Sequence, residues 1–221
     1  MRGGKINLKF SIVPIIFLFI LLIAMIVFET NVAFAKKGDS KSKKNIELCC
    51  TWGHSLDDGI LTFSVGNGGS DLAKIAKLSF KEWEKALDGE IKFRYVKDEI
   101  DADIEIDLKK GKGKKVGKTV TYFDYYGFIN QADITISKKS YSVTLDKDTL
   151  EHITKHEIGH ALGLGHANFK NTLMSPNVDE IITKISACEI ASVKYANSWK
   201  FSKNNSPHTV DVHGYKCKKK E

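Results

Sequence analysis

Three histidines and a glutamate fall within eleven residues, His156 to His166, in the stretch HEIGHALGLGH. Imidazole nitrogens at short spacing are metal donors, and the intervals decide which of them can meet. On an α-helix, residues four apart share a face about 6 Å along the axis, so His156 and His160 can aim at one cation. Glu157 is turned about 100° from His156. It can therefore lie beside that cation without ligating it, within reach of a water held there. A continued helix would carry His166 about 15 Å along the axis from His156, so the chain has to turn back. Gly163, with Gly165 after it, provides the turn, since glycine takes positive φ without steric penalty. Three histidines and one open position are the ligand set of catalytic zinc, whereas structural zinc is closed by four protein ligands. The pattern predicts one zinc on His156, His160 and His166, with Glu157 as general base for a hydrolysis.

The remaining chemistry-bearing types carry less. His54, His152, His208 and His213 read as core or surface residues. His152 is one turn before His156 on the same face, but three ligands already suffice. The run KKGKGKKVGKT at 109–119 is not a phosphate-binding loop. Gly113 and Gly117 enclose three residues instead of four, and the stretch joins two predicted strands. It reads as a solvated loop. The net charge of +7 comes almost wholly from lysine, clustered at 36–44, 109–118 and 216–220. Arg94 is the only arginine beyond the N-terminal segment. Arginine is the usual reader of phosphates and bases, so nucleic acid is a poor partner. The lysines imply at most a weak attraction to acidic surfaces.

Several elements must position the histidines. Residues 1–35 come first: MRGGKINLKF is basic, SIVPIIFLFILLIAMIVF is apolar, and small residues stand at Ala33 and Ala35. That order is a secretory leader cleaved after Ala35. Its apolar run is also long enough to remain as an anchor. Either reading puts the rest of the chain outside the cytoplasm. Residues 36–45 form a polar linker, 46–200 the catalytic domain, and 201–221 a lysine-rich tail. Within the domain, 59–65 alternates as a strand. A helix capped by Ser70 or Asp71 then carries Leu72, Ile75, Ala76, Phe80, Trp83 and Leu87 at helical spacing, ending at Gly89. Strands are predicted at 90–96, 102–108, 118–125 and 132–137, and helices at 148–163 and 181–197. The fold class is α+β, one twisted mixed sheet of about five strands with helices packed on it.

Cys49, Cys50, Cys188 and Cys217 are expected in disulfides outside the cytoplasm, and four cysteines allow three pairings. Neighbours rarely bond to each other. The expectation is two bridges tying the start of the domain to Cys188 and Cys217.

The long motif, with Met174 in NTLMSP eight residues after His166, resembles the metzincin zinc peptidases. GHALGLGH followed by LMSP is most similar to the matrixins. LSFKEWEKALDGEIKFRYV followed by ADIEI is similar to their first helix and next two strands. The resemblance covers roughly 60–197. Ala167 and Pro176 differ from the residues that mark the adamalysins and the astacins at those places.

The resemblance implies a zincin fold with an active-site helix and a C-terminal helix. It also implies a methionine floor beneath the metal at Met174, and an extended substrate paired with an edge strand near Lys118 to Phe123. The expected activity is zinc-dependent cleavage of internal peptide bonds, by a monomer whose partners are protein or peptide substrates. No histidine lies between His54 and His152, so a second zinc is not carried over, and neither is calcium. Val178 stands where matrixins have a tyrosine walling the specificity pocket. Two rivals are a zinc-dependent extracellular binding protein without turnover, and a membrane-anchored envelope or adhesion protein. Glu157 argues against the first, because the base is present.

Overall fold

The chain opens with a short strand, β1 (Asn45–Leu48), and a 3₁₀ turn at His54–Leu56, before β2 (Ile60–Val65). Helix α1 (Gly69–Ala86) follows, then β3 (Lys92–Tyr95), β4 (Ile104–Lys109), β5 (Gly117–Phe123) and β6 (Ile129–Ser137). A small hairpin, β7 (Lys139–Ser140) and β8 (Val143–Thr144), leads into α2 (Lys147–Ala161) and β9 (Leu164–Ala167). Last come α3 (Ala187–Ala196) and β10 (Tyr215–Lys216). This computed structural model describes residues 43–66, 69–97, 102–109, 113–177, 180–202, 206–208 and 214–217. The leader, most of the linker, Val178, His213 and much of the tail lie outside the described residues.

The main sheet has five strands in the order β3-β2-β4-β6-β5. β3, β2, β4 and β6 are mutually parallel, and β5 is antiparallel to β6 at one edge. The mixed α+β architecture is as the sequence pattern predicts. Alternation sets the inner face, where Ile104 and Ile106 of β4 lie opposite Ala132 and Ile134 of β6, all four buried. Helix α1 buries Leu72, Ile75, Ala76, Phe80 and Trp83, an i, i+3, i+4 stripe. The Phe80 ring packs on Phe63 of β2 with centroids 4.0 Å apart. Trp83 belongs to this core, as its spacing predicts. Its Nε1 donates to the Lys155 carbonyl at 3.0 Å and so docks α1 onto α2.

A second layer places the chain after α2. β9 pairs antiparallel with β1, and β1 pairs with β10. Buried tryptophans tie this layer down. Trp52 Nε1 donates to the Ala161 carbonyl at the end of α2 at 2.8 Å, and Trp199 Nε1 donates to the Trp52 carbonyl at 2.9 Å. Side chains of this size, fully buried, each stabilise by about 1.5–3 kcal/mol.

Three expectations need correcting. Helix α1 begins at Gly69, so Ser70 and Asp71 lie in its first turn; Asp71 still favours the positive end of the helix dipole. Helix α3 begins at Ala187, not at 181. Ser186 accepts from the amides of Cys188 and Glu189, and Glu189 accepts from the Ser186 amide, a capping box that fixes the start there. Ile181 and Ile185 therefore precede the helix.

The cysteines also pair differently. Cys188 is bonded to Cys217 with Cα atoms 5.3 Å apart, and Cys49 is bonded to Cys50. The pairing of β10 with β1 lays Cys217 against α3, within reach of Cys188. The two adjacent cysteines are left to each other.

Candidate metal centre

Helix α2 carries two of the three histidines and starts on a defined cap. The Asp146 side chain accepts from the Thr149 amide at 2.8 Å, and that hydrogen bond holds the Asp146 carboxyl below its ordinary range. The helix ends at Ala161, and Gly163 turns the chain with φ +96. A Cβ on Gly163 would stand 2.3 Å from the Cys50 carbonyl oxygen. Gly165 serves a different need from the turn assigned to it by the sequence pattern. A Cβ there would stand 2.7 Å from Cβ of Glu47, so its bareness lets β9 lie against β1. These two close approaches bring His166 back over the helix.

The three imidazoles converge. One ring nitrogen from each of His156, His160 and His166 lies within 4.8 Å of the others. Ring centroids are 4.6 Å apart for His156 and His160, 4.9 Å for His160 and His166, and 5.5 Å for His156 and His166. His156 Nδ1 donates to the Leu173 carbonyl and His160 Nδ1 to the Leu164 carbonyl, each at 2.7 Å. Fixing the proton on Nδ1 leaves Nε2 as a lone pair, the tautomer a metal ligand needs. The two Nε2 atoms stand 3.0 Å apart. Two lone pairs so close repel unless a cation lies between them. Tetrahedral zinc with nitrogens at 2.0–2.1 Å spaces its ligands by about 3.3 Å. The donor set therefore fits a zinc ion.

The electrostatics agree with that fit. Burial holds His156 down to about 3 and His160 to about 4, so both are neutral at neutral pH. His166 is more exposed and also lowered, by burial first, with Glu47 pulling the other way.

Glu157 stands beside the cluster and outside it. The residue is 5% exposed, and its Oε2 accepts from the Thr119 hydroxyl of β5 at 2.6 Å. Burial pushes it up to about 7, opposed by the Thr119 hydrogen bond and by the charge of Lys115. Gly117 makes room for it, since a Cβ at that position would stand 2.1 Å from Glu157 Oε1. Gly117 and Thr119 were not singled out from the sequence for this role. A glycine at the first position of a strand is the one local sign of such a close approach.

Met174 is fully buried behind the helix. A Cβ on Gly159, between the two helical histidines, would meet its Sδ at 2.6 Å. The thioether thus packs on the backbone that carries His156 and His160. Of the other histidines, His54 pairs with Asp57 at the surface and His208 is exposed. His152 is buried in the core. Its Nδ1 lies 2.8 Å from the backbone of Ile182, and its Nε2 has no protein partner. It is not in the convergent cluster.

The three histidines and Glu157 open onto a cleft of about 1000 Å³ whose other wall is β5. β5 is the edge strand of the sheet, paired with β6 on one side only among the described residues.

The family described as matrixin, a peptidase family, matches residues 61–194, more than half of the chain. No curated protein matches it. Two solved structures of myroilysin are similar. The first has 20% identity and a TM-score of 0.36, and covers 49% of this chain and 44% of its own. The second has 18% identity and a TM-score of 0.35, and covers 49% and 43%. The chain thus spans less than half the length of either myroilysin chain.

Proposed function

The chain belongs to the matrixin family of zinc metallopeptidases, and from that premise we propose that it hydrolyses internal peptide bonds of proteins outside the cytoplasm. His156, His160 and His166 would hold the zinc, and Glu157 is the general base. The observation that carries this reading is the meeting of three neutral imidazole nitrogens within 4.8 Å, next to a carboxylate that ligates nothing in the cluster.

Zinc held by His156, His160 and His166 would supply Lewis acidity, for activating water near neutral pH and for offsetting negative charge on the scissile carbonyl oxygen. The protein does the rest. An extended peptide adds to the free edge of β5, where backbone hydrogen bonds set its register. Thr119, whose hydroxyl holds Oε2, fixes the Glu157 carboxylate in one orientation. Glu157 takes the proton of the attacking water and passes it to the leaving nitrogen. Leu173 and Leu164 carbonyls keep the His156 and His160 rings from rotating. Met174 backs the helix between them.

The test separates base from ligands. Glu157→Ala should retain stoichiometric zinc and lose peptide cleavage by several orders of magnitude. His160→Ala should lose the metal. Parent-like, chelator-sensitive cleavage by Glu157→Ala would refute the base assignment, and stoichiometric zinc in His160→Ala would refute the ligand set. A metal-loaded parent without any cleavage would favour the binding-protein alternative.

A further inference from the structure

Within the lysine-rich run at 109–118, which reads from sequence as a solvated loop, residues 114–118 border the cleft. Lys114, Lys115 and Lys118 line it, and all three are exposed. Among the described residues no carboxylate forms an ion pair with them. Among the described residues the one carboxylate lining the cleft is Glu157. Glu47 acts on His166 from the β1 side and lies outside the lining. Lys115 is close enough for its charge to act at once on Glu157, His160 and His166. The lysines flank the start of β5, where Gly117 and Thr119 touch Glu157. A peptide laid along that edge therefore passes positive charge that no described carboxylate holds in an ion pair, next to its scissile bond.

We propose that this site selects peptides carrying an aspartate or glutamate close to the scissile bond, held by Lys114, Lys115 and Lys118. The inference rests on the peptidase reading and adds its substrate class. A cleft wall of one sign focuses the field on the occupant and raises capture of the opposite charge. The effect falls mainly on encounter and affinity, so it is read in KM and kcat/KM. The same wall disfavours lysine and arginine at those peptide positions.

The test uses the zinc-loaded protein and pairs of internally quenched peptides that differ only in Glu or Gln beside the scissile bond. Each exposed pair contributes about two- to fivefold, so the Glu peptide should be favoured by about tenfold in kcat/KM at low salt. That ratio should approach one at about 1 M salt, where the screening length is about 3 Å. It should also approach one in the combined Lys114→Gln, Lys115→Gln, Lys118→Gln variant. An equal ratio in parent and variant, or an equal loss on both peptides, overturns the proposal. Anisotropy of the same peptides on Glu157→Ala reads the preference without turnover. Equal affinities there also overturn it. Tighter binding of the Glu peptide with no cleavage by the parent supports it and counts against the peptidase reading instead.

Discussion

Gly117→Ala places one methyl group against Glu157, the proposed base. The Cβ would lie 2.1 Å from Glu157 Oε1, 2.8 Å from its Cδ and 2.9 Å from Cγ2 of Ile153. Ordinary contact begins near 3.4 Å, so the carboxylate or the strand must move by more than 1 Å. The carboxylate is no loose end: it is buried and held by Thr119 at 2.6 Å. Overpacking of this kind destabilises by about 1–3 kcal/mol. Loss of glycine's freedom in the unfolded chain returns about 0.4–1 kcal/mol. The net effect on stability is therefore modest, while a shift of about 1 Å at a reacting group can lower the rate about a hundredfold. The expected result is a folded variant with stoichiometric zinc and kcat/KM down by about two orders of magnitude. Thermal melting, metal analysis and chelator-sensitive peptide cleavage measure the three quantities. Gly113→Ala is the control, because a Cβ there meets nothing within 4 Å. If Gly117→Ala cleaves as fast as Gly113→Ala, the carboxylate position described above is not the working one.

Gly163→Ala should destabilise by more than about 2 kcal/mol and empty the zinc site, since both its φ and the Cys50 carbonyl at 2.3 Å oppose a side chain; denaturant melts and zinc content check this. The metal-free protein should lose stability as pH falls from 6.5 toward 4. His156 and His160 are held at about 3 and about 4 when folded against 6.5 unfolded, so only the unfolded chain takes up their protons in that window. Glu157, raised from 4.5 to about 7, acts in the opposite direction, but two histidines outweigh it. Melting of chelator-treated protein across this range should show the fall, and a flat profile would contradict the burial of both rings. Peptide mapping without reductant should recover Cys188 joined to Cys217, and a Cys49 or Cys50 peptide joined to either would overturn that pairing.

The helical histidine pair was legible because its geometry is local. A spacing of four on a helix puts two side chains on one face whatever the rest of the chain does. The same holds for the α1 stripe through Trp83 and for the alternation in β4 and β6. The late start of α3 was also written locally, in Ser186 and Glu189, and the capping pattern outranks the apolar face of Ile181 and Ile185.

Other features depend on which distant segments come together, and no short window contains that. The need for bare positions at Gly117 and Gly165 arises only when β5 meets α2 and β9 meets β1. The pairing of Cys188 with Cys217 depends on a two-residue strand too short to carry a periodic signal. Lys114, Lys115 and Lys118 look solvated in one dimension and border the cleft in three, because β5 closes the sheet edge beside the helix that carries His156 and His160. The chain by itself determined the donor types, their spacing and the turn at Gly163. Only tertiary packing decided which carbonyls orient the rings, what holds Glu157, and what charge faces the occupant, since each of those contacts joins residues far apart in sequence.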